Sequence, residues 1–323
     1  MSKISESTLE ELQHLQKVEL HVHLEGSIRP ETVLHLAKKN QVDLPAQTLG
    51  ELQDWYRFRD FPHFVQVYVG VTKCIKDPSD IEFVAKQFFE GQAAQNITYS
   101  EATYTASTVE SHCGIPFDEQ MEALQRARTW AQNELGVTGN FILDIVRGQR
   151  PDEAIKTVEW VAKALGNGVC ALGIAGFESR GTKQYADVFR EAQKLKLPVT
   201  AHAGETEGAW SIWETLEITG CTRIGHGVRA LESPELISHL VKHEVLLEIC
   251  PSSNVCLGVV PSFAEHPIQK LREAGVKVCV NSDDPPMFGT TLTDELRMGM
   301  ETFGWEFEEI QTMLNAANTA RFA

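Results

Sequence analysis

Eight short apolar runs, each of strand length and each followed by a stretch with helical signals, constrain the fold of this chain most strongly. The interiors of the runs are rich in Val, Ile and Leu and show little polar alternation. That composition is typical of parallel strands that helices cover on the outside. The predicted strands are residues 18–23, 97–103, 140–146, 169–175, 198–202, 223–226, 245–250 and 277–281.

Helix start and stop signals lie between these runs. Pro116 precedes an amphipathic stretch that stops before Gly136, and Ser233 matches an N-cap followed by Pro at the first helical position. Eight strands alternating with helices predict an α/β fold, a (β/α)8 TIM barrel. An open dinucleotide-binding sheet has no support, because no Gly-x-Gly-x-x-Gly follows the first run. With no Pro-, Gly- or Ser-rich linker, residues 1–323 are predicted to form a single domain.

The connection between the first two predicted strands, residues 24–96, is much longer than a loop and one helix. We therefore expect a helical insertion after strand 1. Its aromatic residues are Trp55, Tyr56, Phe58, Phe61, Phe64 and Tyr68. Long insertions after barrel strands commonly form lids or pocket walls, although the same residues would serve equally well as core between two helices.

Polar residues stand at the carboxyl ends of four predicted strands, the edge where barrel enzymes place their active sites. They are His21, His23, His202, Glu205, His226, Asp283 and Asp284. Because residues two apart share one face of a strand, His21 and His23 can point at one centre. Together with His202 and one carboxylate after strand 8, they form a nitrogen and oxygen set suited to Zn²⁺. The sequence therefore predicts one zinc site per chain.

The same motifs resemble a known family. His-x-His-Leu-Glu-Gly-Ser at 21–27, His-Ala-Gly-Glu at 202–205, Gly-His-Gly-Val at 225–228 and Asn-Ser-Asp-Asp-Pro at 281–285 are similar to the adenosine deaminase family of the amidohydrolase superfamily. The resemblance covers essentially the whole chain from Lys17 onward, and several independent motifs in the same order make it specific. It implies zinc-dependent hydrolytic deamination of a 6-aminopurine.

The resemblance also implies a role for each catalytic residue. The zinc ligands would be His21, His23, His202 and Asp283. Glu205 would protonate purine N1, and His226 would orient the attacking water and help to deprotonate it. A proton donor at N1 is needed because attack on C6 breaks the aromaticity of the ring and places charge on N1.

Substrate contacts follow from the resemblance as well. Asp284 would hydrogen-bond N7 and count among the catalytic groups, the backbone N–H of Gly176 would meet N3, and His23 would lie against the substrate. Adenosine deaminases usually carry Asp at the position of Glu25, where it contacts the ribose 5′-hydroxyl. Adenine deaminases carry Glu there, as do relatives acting on 5′-modified nucleosides such as aminodeoxyfutalosine.

Two features of the sequence disfavour a free base. Residues 225–227 are Gly-His-Gly instead of the Asp-His-Gly that is usual in adenine deaminases, and residues 101–105 lack their Phe-Asp-Pro pattern. We therefore expect a nucleoside, adenosine or a 5′-modified adenosine, with adenine deaminase or aminodeoxyfutalosine deaminase as alternatives. A non-purine amidohydrolase and a catalytically silent binding protein remain alternatives of another class. Gly176 and Asp284 argue against the first, and Glu205 beside a full ligand set argues against the second.

Charge and composition indicate the partners and the compartment. The net charge is −16 and no basic cluster is longer than Lys38-Lys39, so we expect neither nucleic acid nor an acidic membrane as a partner. The resemblance implies a small-molecule partner, a purine nucleoside or base. Residues 1–16 do not resemble a signal peptide, and no apolar run approaches the ~20 residues that span a bilayer. Seven scattered cysteines without a Cys-x-x-Cys pair predict reduced thiols and a cytoplasmic location. The sequence does not indicate the oligomeric state.

The remaining histidines carry no motif. They fall in predicted helices or loops, and we expect them at the surface: His14, His35, His63, His112, His239, His243 and His266.

Overall fold

The structure, a computed structural model, describes residues 4–322, and within that range the chain forms eight parallel strands. They are β1 Lys17–His23, β2 Ile97–Tyr104, β3 Thr138–Arg147, β4 Val169–Gly176, β5 Thr200–Ala203, β6 Arg223–His226, β7 Leu246–Ile249 and β8 Val278–Val280. Every predicted strand is present, with bounds that differ by two residues at most. The predicted α/β fold is confirmed.

The strands form two four-stranded sheets, β1 to β4 and β5 to β8, each in sequence order. Single bridges join the sheets edge to edge, one between Leu172 and Val199 and the other between Val22 and Asp283. At the second bridge the N–H of His23 donates to the carbonyl of Asp283 over 2.9 Å. This junction brings the ends of β1 and β8 together, which is where the sequence places the candidate site residues His21, His23, Asp283 and Asp284.

Helices cover the outside of the strands. They are α1 Glu6–His14, α2 Pro30–Lys39, α3 Leu49–Trp55, α4 Phe61–Thr72, α5 Pro78–Ala94, α6 Ala106–Cys113, α7 Phe117–Leu135, α8 Pro151–Ala164, α9 Ala186–Lys194, α10 Ala209–Thr219, α11 Pro234–Lys242, α12 Pro251–Cys256, α13 Ile268–Glu273, α14 Pro285–Phe288, α15 Leu292–Phe303 and α16 Phe307–Thr319. Helices α2 to α5 lie between β1 and β2, so the predicted helical insertion is present. Among the helices of residues 4–322, none is long and apolar enough to cross a membrane. The single domain and the cytoplasmic location stay predictions.

Local chemistry accounts for several helix ends. The hydroxyl of Ser233 accepts the N–H of Leu236 over 3.1 Å and Pro234 opens α11, as the sequence predicted. Gly136, in the left-handed conformation with φ 68°, ends α7. These caps fix where each helix stops and the next strand enters the barrel.

Charged side chains fill the barrel below its carboxyl end. Arg223 is 1 % exposed and pairs with two buried carboxylates, Glu101 at 2.5 Å and Glu248. Burying three charges is tolerable only when they are paired and hydrogen-bonded. The network matters for function because Glu248 also contacts His21, the first of the predicted zinc ligands.

Candidate active site

The four predicted metal ligands converge at the carboxyl end of the barrel, and one donor atom of each lies within 4.8 Å of the others. Nε2 of His23 is 3.3 Å from Nε2 of His202 and 3.2 Å from Oδ1 of Asp283. Nε2 of His21 is 3.5 Å from the same carboxylate oxygen. The structure thus brings together side chains that lie up to 262 residues apart in the sequence, His21 and Asp283.

Hydrogen bonds on the outer side of the cluster orient two of these imidazoles. Nδ1 of His21 is 2.9 Å from a carboxylate oxygen of Glu248, and Nδ1 of His202 is 3.2 Å from the carbonyl of Ile174. Carboxylate and carbonyl oxygens only accept, so both Nδ1 atoms carry a proton and both Nε2 atoms, the nitrogens left for a metal, face inward. That arrangement is the one in which histidine binds a metal.

The charges of the cluster also fit a cation. Burial lowers the pKa of His21, but Asp283 and Glu248 raise it, with a net value of about 9. Burial likewise lowers the pKa of His23, while Asp284 and Asp283 raise it to about 10. The carboxylates therefore favour positive charge here, and a divalent cation would supply it in place of two protons. Three imidazole nitrogens and one carboxylate oxygen are a donor set that suits Zn²⁺.

Two glycines make room for site residues. A Cβ at Gly26 would lie 1.5 Å from Oδ1 of Asp284, and a Cβ at Gly225 would lie 2.5 Å from Cε1 of His21. Neither distance is compatible with a side chain at the glycine unless the site residue moves. The glycines of the first and third motifs are therefore required by the packing of the site.

Glu205 is held in place by a carboxylate that the sequence did not single out, Glu178. The side chain of Glu178, on the short turn after β4, is 2 % exposed. Its oxygens accept six hydrogen bonds of 2.5 to 3.1 Å, from the backbone N–H groups of Gly204, Glu205, Thr206 and Glu207 and the hydroxyls of Thr206 and Ser211. The loop that carries Glu205 is thus folded around one carboxylate. An acidic residue just after the end of a predicted strand was the available sequence signal.

The carboxyl group of Glu205 faces the cluster. Oε1 of Glu205 lies 3.7 Å from Nε2 of His226. Burial, followed by the charges of Asp283 and Glu178, raises the pKa of Glu205 well above its ordinary value. A raised pKa favours the protonated carboxyl group, which is the form that can donate a proton as the role at N1 requires.

His226 takes part in a chain of hydrogen bonds that leads away from the cluster. The N–H of Ile268 donates to Nδ1 of His266, so the proton of His266 is on Nε2, which donates to Oδ1 of Asn254 over 3.2 Å. Nδ2 of Asn254 in turn donates to Nδ1 of His226 over 3.2 Å. The network therefore assigns the proton of His226 to Nε2, the nitrogen that faces the cluster.

The structure corrects one expectation about the other histidines. His266 was predicted at the surface but is 3 % exposed, so that prediction is wrong. His266 is buried because its ring hydrogen-bonds both Asn254 and the backbone at the start of α13. No periodic pattern in the sequence predicts these contacts. The other six are exposed or half-buried.

A cavity of about 130 Å³ opens over the cluster. The predicted site residues His23, Gly176, His202, Glu205, His226, Asp283 and Asp284 line it. Apolar side chains of α4 form another part of its wall: Phe61, Phe64, Val65, Tyr68 and Val69. The aromatic insertion therefore contributes to the cavity wall, while its Tyr56 is buried in the core. The pocket-wall interpretation thus holds for one part of the insertion and the core interpretation for another.

Glu25 lies behind the cavity wall and does not line it. Its side chain is fully buried; one oxygen accepts the N–H of Thr105 over 2.9 Å and the other accepts the hydroxyl of Tyr68 over 3.3 Å. Burial, with a contribution from Asp144, raises the pKa of Glu25 to about 7. The structure thus does not bring this predicted substrate contact into the cavity.

Asp144, near the end of β3, does line the cavity, although no sequence motif identifies it as a site residue. It stands alone in an apolar run, Phe141 to Val146. Within residues 4–322, four buried atoms of this region have no hydrogen-bond partner: Nε2 of His21, Oε1 of Glu205, Oδ1 of Asp284 and Oδ1 of Asp144. Buried polar atoms are rarely left unsatisfied, so a ligand is expected to satisfy them.

Comparison with known proteins identifies the family that the chain matches. The family model described as adenosine deaminase matches residues 16–323. The chain is 35 % identical over 310 residues to an adenine deaminase of Rhizobium leguminosarum bv. trifolii, covering 96 % of this chain and 95 % of the relative. It is 34 % identical over 284 residues to an aminodeoxyfutalosine deaminase of Streptomyces avermitilis, covering 87 % of this chain and 79 % of the relative.

Solved structures agree in fold. The crystal structure of an adenine deaminase from Arthrobacter aurescens superimposes with a TM-score of 0.90 at 27 % identity, covering 95 % of this chain and 94 % of that one. A zinc-bound amidohydrolase from Burkhoderia ambifaria superimposes with a TM-score of 0.92 at 23 % identity, covering 100 % and 90 %. The second likeness extends to the fold alone.

Proposed function

The chain belongs to the adenosine deaminase family and is a hydrolytic deaminase of aminopurines, and we propose that its substrate is the free base adenine, which it converts to hypoxanthine and ammonia. Family membership confirms the resemblance that the motifs carry. It also argues against a non-purine amidohydrolase and against a silent binding protein.

The free base replaces the nucleoside that the sequence favoured. The observation that carries this choice is the position of Glu25. Adenosine deaminases use the carboxylate at this sequence position to contact the ribose, but the carboxylate of Glu25 is hydrogen-bonded to Thr105 and Tyr68 behind the cavity wall. The cavity, about 130 Å³, is also smaller than the ~300–1,000 Å³ that drug-sized ligands occupy. The full-length likeness to relatives named adenine deaminase supports the same choice.

We further propose that His21, His23, His202 and Asp283 hold one Zn²⁺ per chain. The inward-facing Nε2 atoms of two histidines and the acidic surroundings support this assignment. When bound, zinc would lower the pKa of water toward ~7 and so make a nucleophile available at neutral pH.

The residues around the cavity perform the remaining work. Nε2–H of His226 donates to the oxygen of the attacking water and holds it at the face of C6. The carboxyl group of Glu205 donates its proton to N1 as C6 becomes tetrahedral, which removes the charge that would otherwise develop there. One proton of the attacking water passes to the leaving amino group, which departs as ammonia. The other water proton returns to Glu205 as the oxygen on C6 becomes a carbonyl, and N1 keeps the proton from Glu205 in hypoxanthine. Asp284 and the N–H of Gly176 fix the ring through N7 and N3.

A 5′-substituted adenosine is the second candidate. It is favoured by the likeness to an aminodeoxyfutalosine deaminase over 87 % of this chain and by the absence of the Phe-Asp-Pro and Asp-His-Gly patterns. A free base and a 5′-substituted nucleoside differ in the group that N9 carries, and the cavity must accommodate a sugar only for the second.

The test is a comparison of kcat/KM for adenine, adenosine, 2′-deoxyadenosine and 5′-substituted adenosines with zinc-loaded protein. We expect adenine to exceed the nucleosides by at least about 10-fold, a ratio that the loss or gain of one well-placed contact produces. A higher kcat/KM for a 5′-substituted adenosine would transfer the assignment to the second candidate. Inactivity on the whole panel would remove the purine substrate.

A further inference from the structure

Asp144 is a buried carboxylate on the cavity wall to which the proposed reaction gives no role. Its side chain is 3 % exposed, and within the described chain its Oδ1 has no hydrogen-bond partner. In the register of β3 and β4 it lies opposite Gly173, where a Cβ would come within 3.1 Å of the Cβ of Asp144. The glycine leaves the carboxyl group free to point into the barrel.

A purely structural carboxylate would be expected to resemble Glu178, which is saturated by donors. Leaving a polar group buried without a partner costs about 1–3 kcal/mol, and more for a charged group. A ligand that donates a hydrogen bond to Oδ1 of Asp144 would remove that cost. The carboxyl group keeps an acceptor oxygen in either protonation state, so the missing partner is a hydrogen-bond donor.

The order of strands around the barrel indicates which donor this is. In the proposed complex, N1 is at Glu205 after β5, N3 is at Gly176 at the end of β4, and N7 is at Asp284 after β8. On the purine ring N9 lies between N3 and N7. The edge that carries N9 must therefore face the remaining sector, formed by β1 to β3, and Asp144 stands on β3 next to the strand that meets N3.

We propose that Asp144 recognises the free base by accepting a hydrogen bond from N9–H of adenine. This inference rests on the proposed function, because only the free base carries a hydrogen at N9. A nucleoside would place a glycosidic carbon against the carboxyl group and leave its oxygen unpaired. Sites built around a hydrogen bond reject analogues that lack the donor more strongly than apolar pockets reject an added group. Asp144 thus distinguishes base from nucleoside in place of the sugar-contacting residue.

The experiment compares adenine with 9-methyladenine, which lacks the donor but keeps the reacting atoms. We expect wild-type kcat/KM to favour adenine by about 10- to 100-fold. Asp144→Ala should lower kcat/KM for adenine by a similar factor and leave that for 9-methyladenine unchanged, while Asp144→Asn, which keeps an acceptor oxygen, should retain part of the preference. Asp43→Asn, at an exposed carboxylate, is the matched control. Zinc content and the melting temperature report whether each variant is folded and loaded.

The outcomes separate the two proposals. Equal loss on adenine and 9-methyladenine in Asp144→Ala, or no loss on either, would overturn the role of Asp144 and leave the deamination of adenine standing. A wild-type enzyme that deaminates a nucleoside but has no activity on adenine would overturn both the adenine substrate and the role of Asp144. If Asp144→Ala does not fold, binding of purine and 9-methylpurine to the wild type replaces it. Purine should bind about 10-fold more tightly, and equal affinity would overturn the inference.

Discussion

Nδ2 of Asn254 donates a hydrogen bond to Nδ1 of His226 across 3.2 Å, and this contact decides which ring nitrogen of His226 carries the proton. Asn254 is fixed in turn by His266, which donates to its amide oxygen. His226, which is proposed to hold the attacking water, is thereby connected to the segment that precedes α13. His226 itself has a left-handed backbone, φ 63°, which is uncommon for a residue other than glycine and is concentrated at functional sites.

Asn254→Asp tests this connection. The carboxylate offers only acceptors to Nδ1, so the proton of His226 should move to Nδ1, and Nε2 should then present a lone pair to the attacking water. We expect kcat to fall by about 10- to 100-fold with zinc retained, the usual effect of changing an outer-shell partner. The ¹⁵N chemical shifts of the two ring nitrogens should exchange their character. Asn315→Asp, at an exposed position, should change neither, and unchanged shifts of His226 in Asn254→Asp would contradict the assignment.

Glu178→Gln tests the loop that carries Glu205. An amide has one acceptor oxygen and turns an NH₂ group toward backbone N–H donors, so part of the six-bond arrangement must be lost. We expect kcat to fall by about 10-fold or more and the free energy of unfolding to fall by about 1–3 kcal/mol. Kinetics and denaturant unfolding measure the two effects. Glu217→Gln, at an exposed carboxylate, is the control, and wild-type kcat in Glu178→Gln would show that Glu205 does not depend on this support.

Gly26→Ala tests the space beside Asp284. The new methyl group would overlap Oδ1 of Asp284, so the carboxyl group must move away from the position proposed to contact N7. We expect kcat/KM to fall by about 100-fold, because small displacements of a positioning group are costly. Gly50→Ala is the matched control: its Cβ meets no atom within 4 Å in residues 4–322, and it should add about 0.5–1 kcal/mol of stability to α3. Equal activity of the two variants would contradict the role of Gly26.

The sequence predicted the strands and the metal cluster because both follow a local rule. His21 and His23 share a face by the period of a strand, and the ends of parallel strands meet at one rim. Glu178, Asn254 and His266 obey no such period, since they lie in turns or in a short helix and act through contacts with distant loops. Asp144 is a single polar residue in an apolar strand, a pattern that does not distinguish a ligand contact from a buried structural acid. The position of Glu25 could not be predicted for a related reason, because its hydrogen bonds to Tyr68 and Thr105 depend on how the insertion folds back.

Removal of the metal tests the donor cluster. After dialysis against a strong chelator, the protein should lose deaminase activity, and about one equivalent of Zn²⁺ per chain should restore it. The melting temperature should fall as well, because a ligand bound only by the folded state stabilises it according to its concentration and affinity. Metal analysis, activity and thermal unfolding of the same samples provide the comparison. Full activity in protein shown to be metal-free would remove the cluster from the mechanism.

Glu295 gives the fold a pH dependence that is separate from the metal cluster. Its buried carboxyl group, on α15, accepts the N–H of Ser252 and the hydroxyl of Thr290, and burial, the largest cause, raises its pKa to about 7. Because the pKa in the folded state lies above the unfolded value of 4.5, the neutral form favours folding. Its contribution is complete below pH ~4.5 and is lost as the pH rises through ~7. Gln cannot ionise in the Glu295→Gln variant. The difference in unfolding free energy, variant minus wild type, should therefore increase by about 2 kcal/mol from pH 5 to pH 8. Urea unfolding at both pH values measures this difference, and parallel pH profiles for the two proteins would show that Glu295 is ionised in the folded state throughout.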